Sequence, residues 1–138
     1  MAKDASREMS LRDALKSIVT RPSAYMKGLQ SPEGRYIVTF DREGAQCEKP
    51  DGQVARVDWK RLTAVLLDTN DPRSRLPHYF WRLEGTGQFC LIPHGATGEQ
   101  SLVEKLRKLP GFKADRLALA ESCTVNRTFE CWRKPPAP

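Results

Sequence analysis

The side chains whose types could do chemistry in this chain are two histidines, four cysteines and a set of arginines beside tryptophans. His78 and His94 stand at the two ends of a segment rich in strand formers, and if it folds as a hairpin they meet at its open end. Two imidazoles lack the third protein ligand of a catalytic zinc centre and the four of a structural one. Cys90 lies between Phe89 and Leu91, where an apolar strand raises a thiol's pKa and makes it a small hydrophobe instead of a nucleophile. Cys123 and Cys131 are the nearest cysteines in sequence, too far apart for a metal-binding Cys-x₂₋₄-Cys pair and without a nearby histidine. Asp68 and Asp71 could form a paired-carboxylate site, but Arg73 and Arg75 read as their ion partners. The expectation is no catalytic residue, no metal site, no cofactor and no enzymatic activity.

Binding offers more. Pro93-His94-Gly95-Ala96-Thr97-Gly98 precedes a helix, and its glycines could bare backbone N–H groups for an anion, with His94 alongside. It lacks both phosphate-loop fingerprints, so a plain strand-to-helix connection is the stronger reading. Trp81-Arg82 and Trp132-Arg133 pair a stacking surface with a cation, as single-stranded nucleic acid requires. Against this, Phe80 and Trp81 point to opposite faces of one strand, so at least one belongs to the core. The loop Asn70–Pro77, carrying Arg73 and Arg75 between two prolines, suits recognition of a protein. The candidate binding residues are therefore Arg73, Arg75, Trp81, Arg82, His94 and Arg133.

Elements must position these groups. At 138 residues, 39% hydrophobic and 29% charged, the chain has the length and composition of one folded domain. Its formal charge of +6 is spread without a block of like charges, which permits a polyanionic partner without demanding one. No apolar run nears the ~18 residues that cross a bilayer, and no apolar stretch or cleavage site follows Met1 to Ser10. These features predict a cytoplasmic protein without membrane contact, its cysteines free thiols.

An amphipathic stripe of Leu11, Ala14, Leu15, Ile18 and Val19 after Ser10 predicts a helix from Leu11 to Thr20, stopped by Pro22. A linker follows to Gly34. Strands are expected at Tyr36–Phe40, Ala45–Glu48, Gln53–Val57 and Thr63–Thr69, the last central because Ala64-Val65-Leu66-Leu67 is continuously apolar. A corner at Asp58–Leu62 precedes it. His78–Glu84 and Gln88–Pro93 flank Gly85-Thr86-Gly87 as the clearest hairpin. Thr97 and Gln100 fit a capping box for a helix that Pro110-Gly111 ends, and a second helix is expected over Ala114–Glu121. Asn126–Trp132 alternates as a closing strand, and a proline-rich tail occupies 135–138. The fold class expected is α+β: an antiparallel meander sheet of about six strands, an N-terminal helix with its linker at 1–34, and a domain at 35–134 with two short helices after the main hairpin and a closing C-terminal strand.

The series Val57-Asp58-Trp59-Lys60-Arg61-Leu62, Val65 to Asp71, Phe80-Trp81-Arg82-Leu83, Ile92 to Gly98, Leu106 to Phe112 and Phe129-Glu130-Cys131-Trp132 resembles that of a group of small bacterial single-domain proteins to which no activity is attached. It covers a little over half of the chain and brings no catalytic residue with it. In size and outline such proteins are similar to immunity proteins, which bind and block a cognate toxin. The resemblance implies a non-enzymatic binding protein with a toxin-neutralising or accessory role and another protein as partner. The basic charge implies an acidic target surface. The alternative is a nucleic-acid-binding module using the basic surface.

Overall fold

The computed structural model describes residues 32–136. The helix expected over Leu11–Thr20 and nearly all of its linker lie outside these residues. Strands β1 (Ile37–Phe40), β2 (Gly44–Glu48) and β3 (Val54–Asp58) form a three-stranded antiparallel sheet. Its turns are made by aspartates that mimic a backbone carbonyl. Asp41 Oδ1 accepts the N–H groups of Glu43 and Gly44 at 2.8 and 3.0 Å, and Asp51 Oδ1 accepts that of Gln53 at 2.9 Å.

A 3-10 turn at Trp59–Arg61 then carries the chain into a second sheet of β4 (Leu62–Thr69), β5 (Tyr79–Gly85), β6 (Gln88–Pro93) and β7 (Arg127–Arg133), in the order β6-β5-β4-β7. The protein is thus mixed α+β with antiparallel strands, but the single meander sheet divides in two. The expected corner at Asp58–Leu62 is where the ladder breaks, because the 3-10 turn swings the chain away before β4 can pair with β3. The sheets meet instead at β3 and β6, where Gln88 Oε1 accepts the Asp58 N–H at 2.8 Å and Gln88 Nε2 donates to Asp58 Oδ2 at 3.0 Å. β4 lies inside its sheet, as its apolar run implies, and the closing strand joins β4, not the end of the hairpin.

Helices α1 (Glu99–Leu106) and α2 (Ala114–Glu121) bury Leu102, Leu106, Leu117 and Ala120 in the core that contains Val65, Leu67, Trp81 and Ile92. They cover the inner face of the four-stranded sheet. The expected capping box does not form. Thr97 is taken by β1, exchanging backbone hydrogen bonds with Tyr36 and Val38 and donating its hydroxyl to the Gly34 carbonyl at 2.7 Å. Gly98 becomes the N-cap, at φ +91°, and a Cβ there would collide with the Val38 carbonyl. Only glycine lets the chain pass from β6 into α1 so close to the β1 backbone.

A register shift between Val65 and Leu66 makes Cys131 the extra residue of a bulge in β7. Strict alternation would send Trp132 to the side of Glu130. The bulge turns it inward, where it is 8% exposed, and leaves Arg133 on the outer side. All four cysteines are free, and among the described residues no helix is long and apolar enough to cross a membrane.

Candidate functional sites

The outer face of the four-stranded sheet is built by alternation along β5. Tyr79, Trp81 and Leu83 point into the core, and Phe80, Arg82 and Glu84 point out. Arg82 sits opposite Leu66 on β4 and Leu91 on β6. Its guanidinium donates to both carboxylate oxygens of Asp68, at 2.8 and 2.9 Å, and to Glu84 on its own strand. Thr128 on β7 adds a hydroxyl donor to Asp68 at 2.6 Å. Partial burial works against the Asp68 carboxylate, but the Arg82 and Thr128 hydrogen bonds outweigh it and hold its pKa below the usual range. Arg133 lies on the same side, donates to Glu130 at 2.9 Å and feels Glu84. Beside this network stand Phe80 and Leu91, half-buried, and Phe89, 52% exposed.

At the end of that face the loop between β4 and β5 folds around Asp71, which caps a 3-10 turn at Pro72–Ser74 and pairs with Arg73 at 2.7 Å. Arg75 takes a left-handed conformation, φ +66°, the one non-glycine residue at positive φ among those described. The expectation that Arg73 and Arg75 serve Asp68 and Asp71 holds for the Arg73–Asp71 pair alone; the partner of Asp68 is Arg82, across the sheet.

Of the six candidate residues, Arg82 and Arg133 share the outer face, and Arg73 and Arg75 lie in the loop at its end. Trp81 is core: it is fully buried, and its Nε1 donates to Glu99 at 2.9 Å. Nearest-neighbour Trp-Arg dipeptides therefore do not make stacking sites, because a strand sends the indole and the guanidinium to opposite sides. His94 is on the inner side as well. Its Nδ1–H donates to the Glu99 carboxylate at 2.9 Å, its ring stacks on Tyr79 at 4.3 Å, and Glu99 also accepts the Gly95 N–H at 2.8 Å. The glycine turn thus already holds an anion, the chain's own Glu99. Burial alone would raise the Glu99 pKa, but the hydrogen bonds from His94, Gly95 and Trp81 bring it down, and the Glu99 hydrogen bond raises that of His94. His78 also lies against Tyr79, its ring centre 5.3 Å from that of the tyrosine, and its Nε2 bonds the Cys123 carbonyl at 2.9 Å. Among the described residues no group of three His, Cys, Asp or Glu is placed to hold a metal. Burial pushes the Cys90 thiol up to about 12.

A second site was not legible in the sequence. A groove of about 500 Å³ runs between the 3-10 corner, the end of α1 and the end of β7. Its base is Leu62 and Trp132, with Leu109, Trp59 and Pro135 around them, and Arg42, Lys105 and Lys134 complete the lining. Both indole N–H groups are spent on backbone carbonyls: Trp59 Nε1 donates to Asp41 at 2.8 Å and Trp132 Nε1 to Pro110 at 2.9 Å. What the rings leave to the groove is carbon surface. Lys105 Nζ lies 5.5 Å from the Trp59 ring centre. No carboxylate lines the groove, and none of its three cations makes a salt bridge among the described residues. The one sequence signal was Trp132 beside basic residues; Arg42 and Lys105 come from far along the chain.

No protein-family model, curated protein or solved structure matches this chain.

Proposed function

We propose that the protein is a non-enzymatic binding protein that engages another protein through the outer face of its four-stranded sheet, in a toxin-neutralising or accessory role. The observation that carries this reading is the pre-paired Arg82, fixed by Asp68 and Glu84 among Phe80, Leu91 and Phe89. Arginine and aromatic side chains on a rigid support are the usual anchors of protein interfaces. An arginine already satisfied by two carboxylates enters an interface without leaving a charge unpaired. The left-handed Arg75 marks the adjoining loop as part of the same surface, since such backbone strain concentrates at functional sites. With Arg73 paired to Asp71, Arg75 is the cation left over at the rim of this surface, which matches an acidic group on the partner.

Nucleic acid is the weaker occupant of this face. Asp68, Glu84 and Glu130 neutralise Arg82 and Arg133 and would repel phosphates.

The test is affinity capture from a lysate of the source organism after nuclease treatment, using wild type beside a Phe89→Ser, Leu91→Ser variant. Retention of one protein partner by wild type and its loss from the folded variant support the reading. Recovery that vanishes with nuclease, or a partner held equally by both proteins, contradicts it.

A further inference from the structure

We propose that the groove between Trp59 and Trp132 binds a small organic anion: a flat aryl or extended acyl body carrying one carboxylate or phosphate. This site is separate from the outer sheet face and stands or falls independently of it.

The size fits first. At about 500 Å³ the groove lies within the range of small-molecule sites, which are mostly apolar with a few polar groups that fix orientation. Its chemistry is divided in the same way. Trp59, Leu62, Leu109 and Trp132 supply carbon surface, and the two indole N–H groups are already bonded to Asp41 and Pro110, so no polar atom of either ring is left to be satisfied by ligand. A body that fills this space needs no hydrogen-bonding groups of its own.

The charge decides the class. Arg42 arrives from the β1–β2 turn, Lys105 from α1 and Lys134 from just beyond β7, so three elements distant in sequence place cations on one cavity. On the two sheets Arg56, Arg82 and Arg133 each have an acidic partner, and Arg127, at the far end of β7, stands apart from any apolar groove lining. Here the lining offers none. A cationic rim over an apolar base attracts anions and gives a neutral or cationic ligand nothing to pair with. The apolar surroundings also weaken screening by water, which strengthens the attraction once a ligand covers the rim.

Exposure separates this ligand from a nucleic-acid strand. Trp132 shows 8% of its surface, and Trp59 has Phe40 against it edge-on at 6.4 Å and Lys105 over its ring. Trp59 is half-buried and Trp132 nearly buried, so neither indole is exposed enough for successive bases to stack along it. One compact body wedged against both rings uses what is available.

The probe for the test is anilinonaphthalenesulfonate, an aryl anion whose emission rises in apolar surroundings, with N-phenylnaphthylamine as its uncharged counterpart. The expected result is saturable binding of the anionic dye to the full chain. Its affinity falls at least tenfold in a Lys105→Glu, Lys134→Glu variant that melts like wild type, and the neutral dye binds more weakly than the anionic one. If charge reversal unfolds the protein, Lys105→Met with Lys134→Met keeps the apolar stems and removes the charge alone. Displacement by laurate assigns an acyl carboxylate, and displacement by adenosine monophosphate an aryl phosphate. Dye affinity that ignores the lysines, equal binding of the neutral dye, or displacement by neither competitor overturns the proposal.

Discussion

The outer sheet face and the Trp59–Trp132 groove both set cations beside aromatic side chains, yet they treat those cations in opposite ways. On the sheet, Arg82 is held by two carboxylates and Arg133 by one, so the face is rigid and close to neutral. In the groove, Arg42, Lys105 and Lys134 surround carbon surface with no acid in the lining. Flat alternation explains the first. Alternation puts acids and bases on one side of the sheet, where Arg82 reaches Asp68 diagonally across the ladder and pairs with Glu84, and Arg133 with Glu130, along their own strands. The groove gathers residues from a turn, a helix and a strand end, where no register imposes a partner. Paired charges suit a surface that must be covered by protein without stranding a charge; unpaired ones keep a field that can reach an anion.

This contrast makes predictions of decreasing size. Beneath the sheet face, Trp81→Ala removes a fully buried indole and its bond to Glu99, and should cost ~3–5 kcal/mol in urea unfolding. A loss below about 1 kcal/mol would mean that the core beneath the face is not organised around this ring. Next, Arg82→Ala leaves Asp68 and Glu84 without their cation and should cost about 1–3 kcal/mol. Lys105→Ala, with no acid to abandon, should stay within ~0.5 kcal/mol. Equal costs at the two positions would erase the distinction between the sites.

The smallest effects are those of pH. Asp68 has a folded pKa below its unfolded value of about 3.9, so its contribution is full above that value and is lost as pH falls through the folded pKa. The stability of an Asp68→Asn variant should therefore be flatter on the acid side below about pH 4. His94 runs the other way. Its folded pKa is raised by Glu99, so its contribution is full below about 6.5 and is lost as pH rises through the folded pKa. His94→Gln should flatten that limb.

Strands, hairpins and the α2 helix were legible because their signals are local: alternation in Phe80-Trp81-Arg82-Leu83, turn residues at Gly85-Thr86-Gly87, and a short stripe at Leu117 and Ala120. The break into two sheets was not, since a corner at Asp58–Leu62 reads the same whether the ladder continues or stops. The helix cap was misread because Thr97, a good cap in isolation, is recruited by β1, a partner sixty residues earlier. The inward turn of Trp132 was not legible, because the bulge at Cys131 that breaks the strand's alternation leaves no mark in the sequence. The outer face could be inferred in part, as Arg82 and Arg133 show, but its pairing with Asp68 depends on register. The groove could not be inferred, because its cations meet only in three dimensions.

The most direct test of two separate sites is a crossed experiment on the folded Phe89→Ser, Leu91→Ser and Lys105→Glu, Lys134→Glu variants, each measured for retention of the captured protein partner and for affinity toward anilinonaphthalenesulfonate. The predicted pattern is crossed: the sheet variant loses the partner and keeps the dye, and the groove variant loses the dye and keeps the partner. Loss of both by either variant, with folding intact, would show one continuous site and contradict the account.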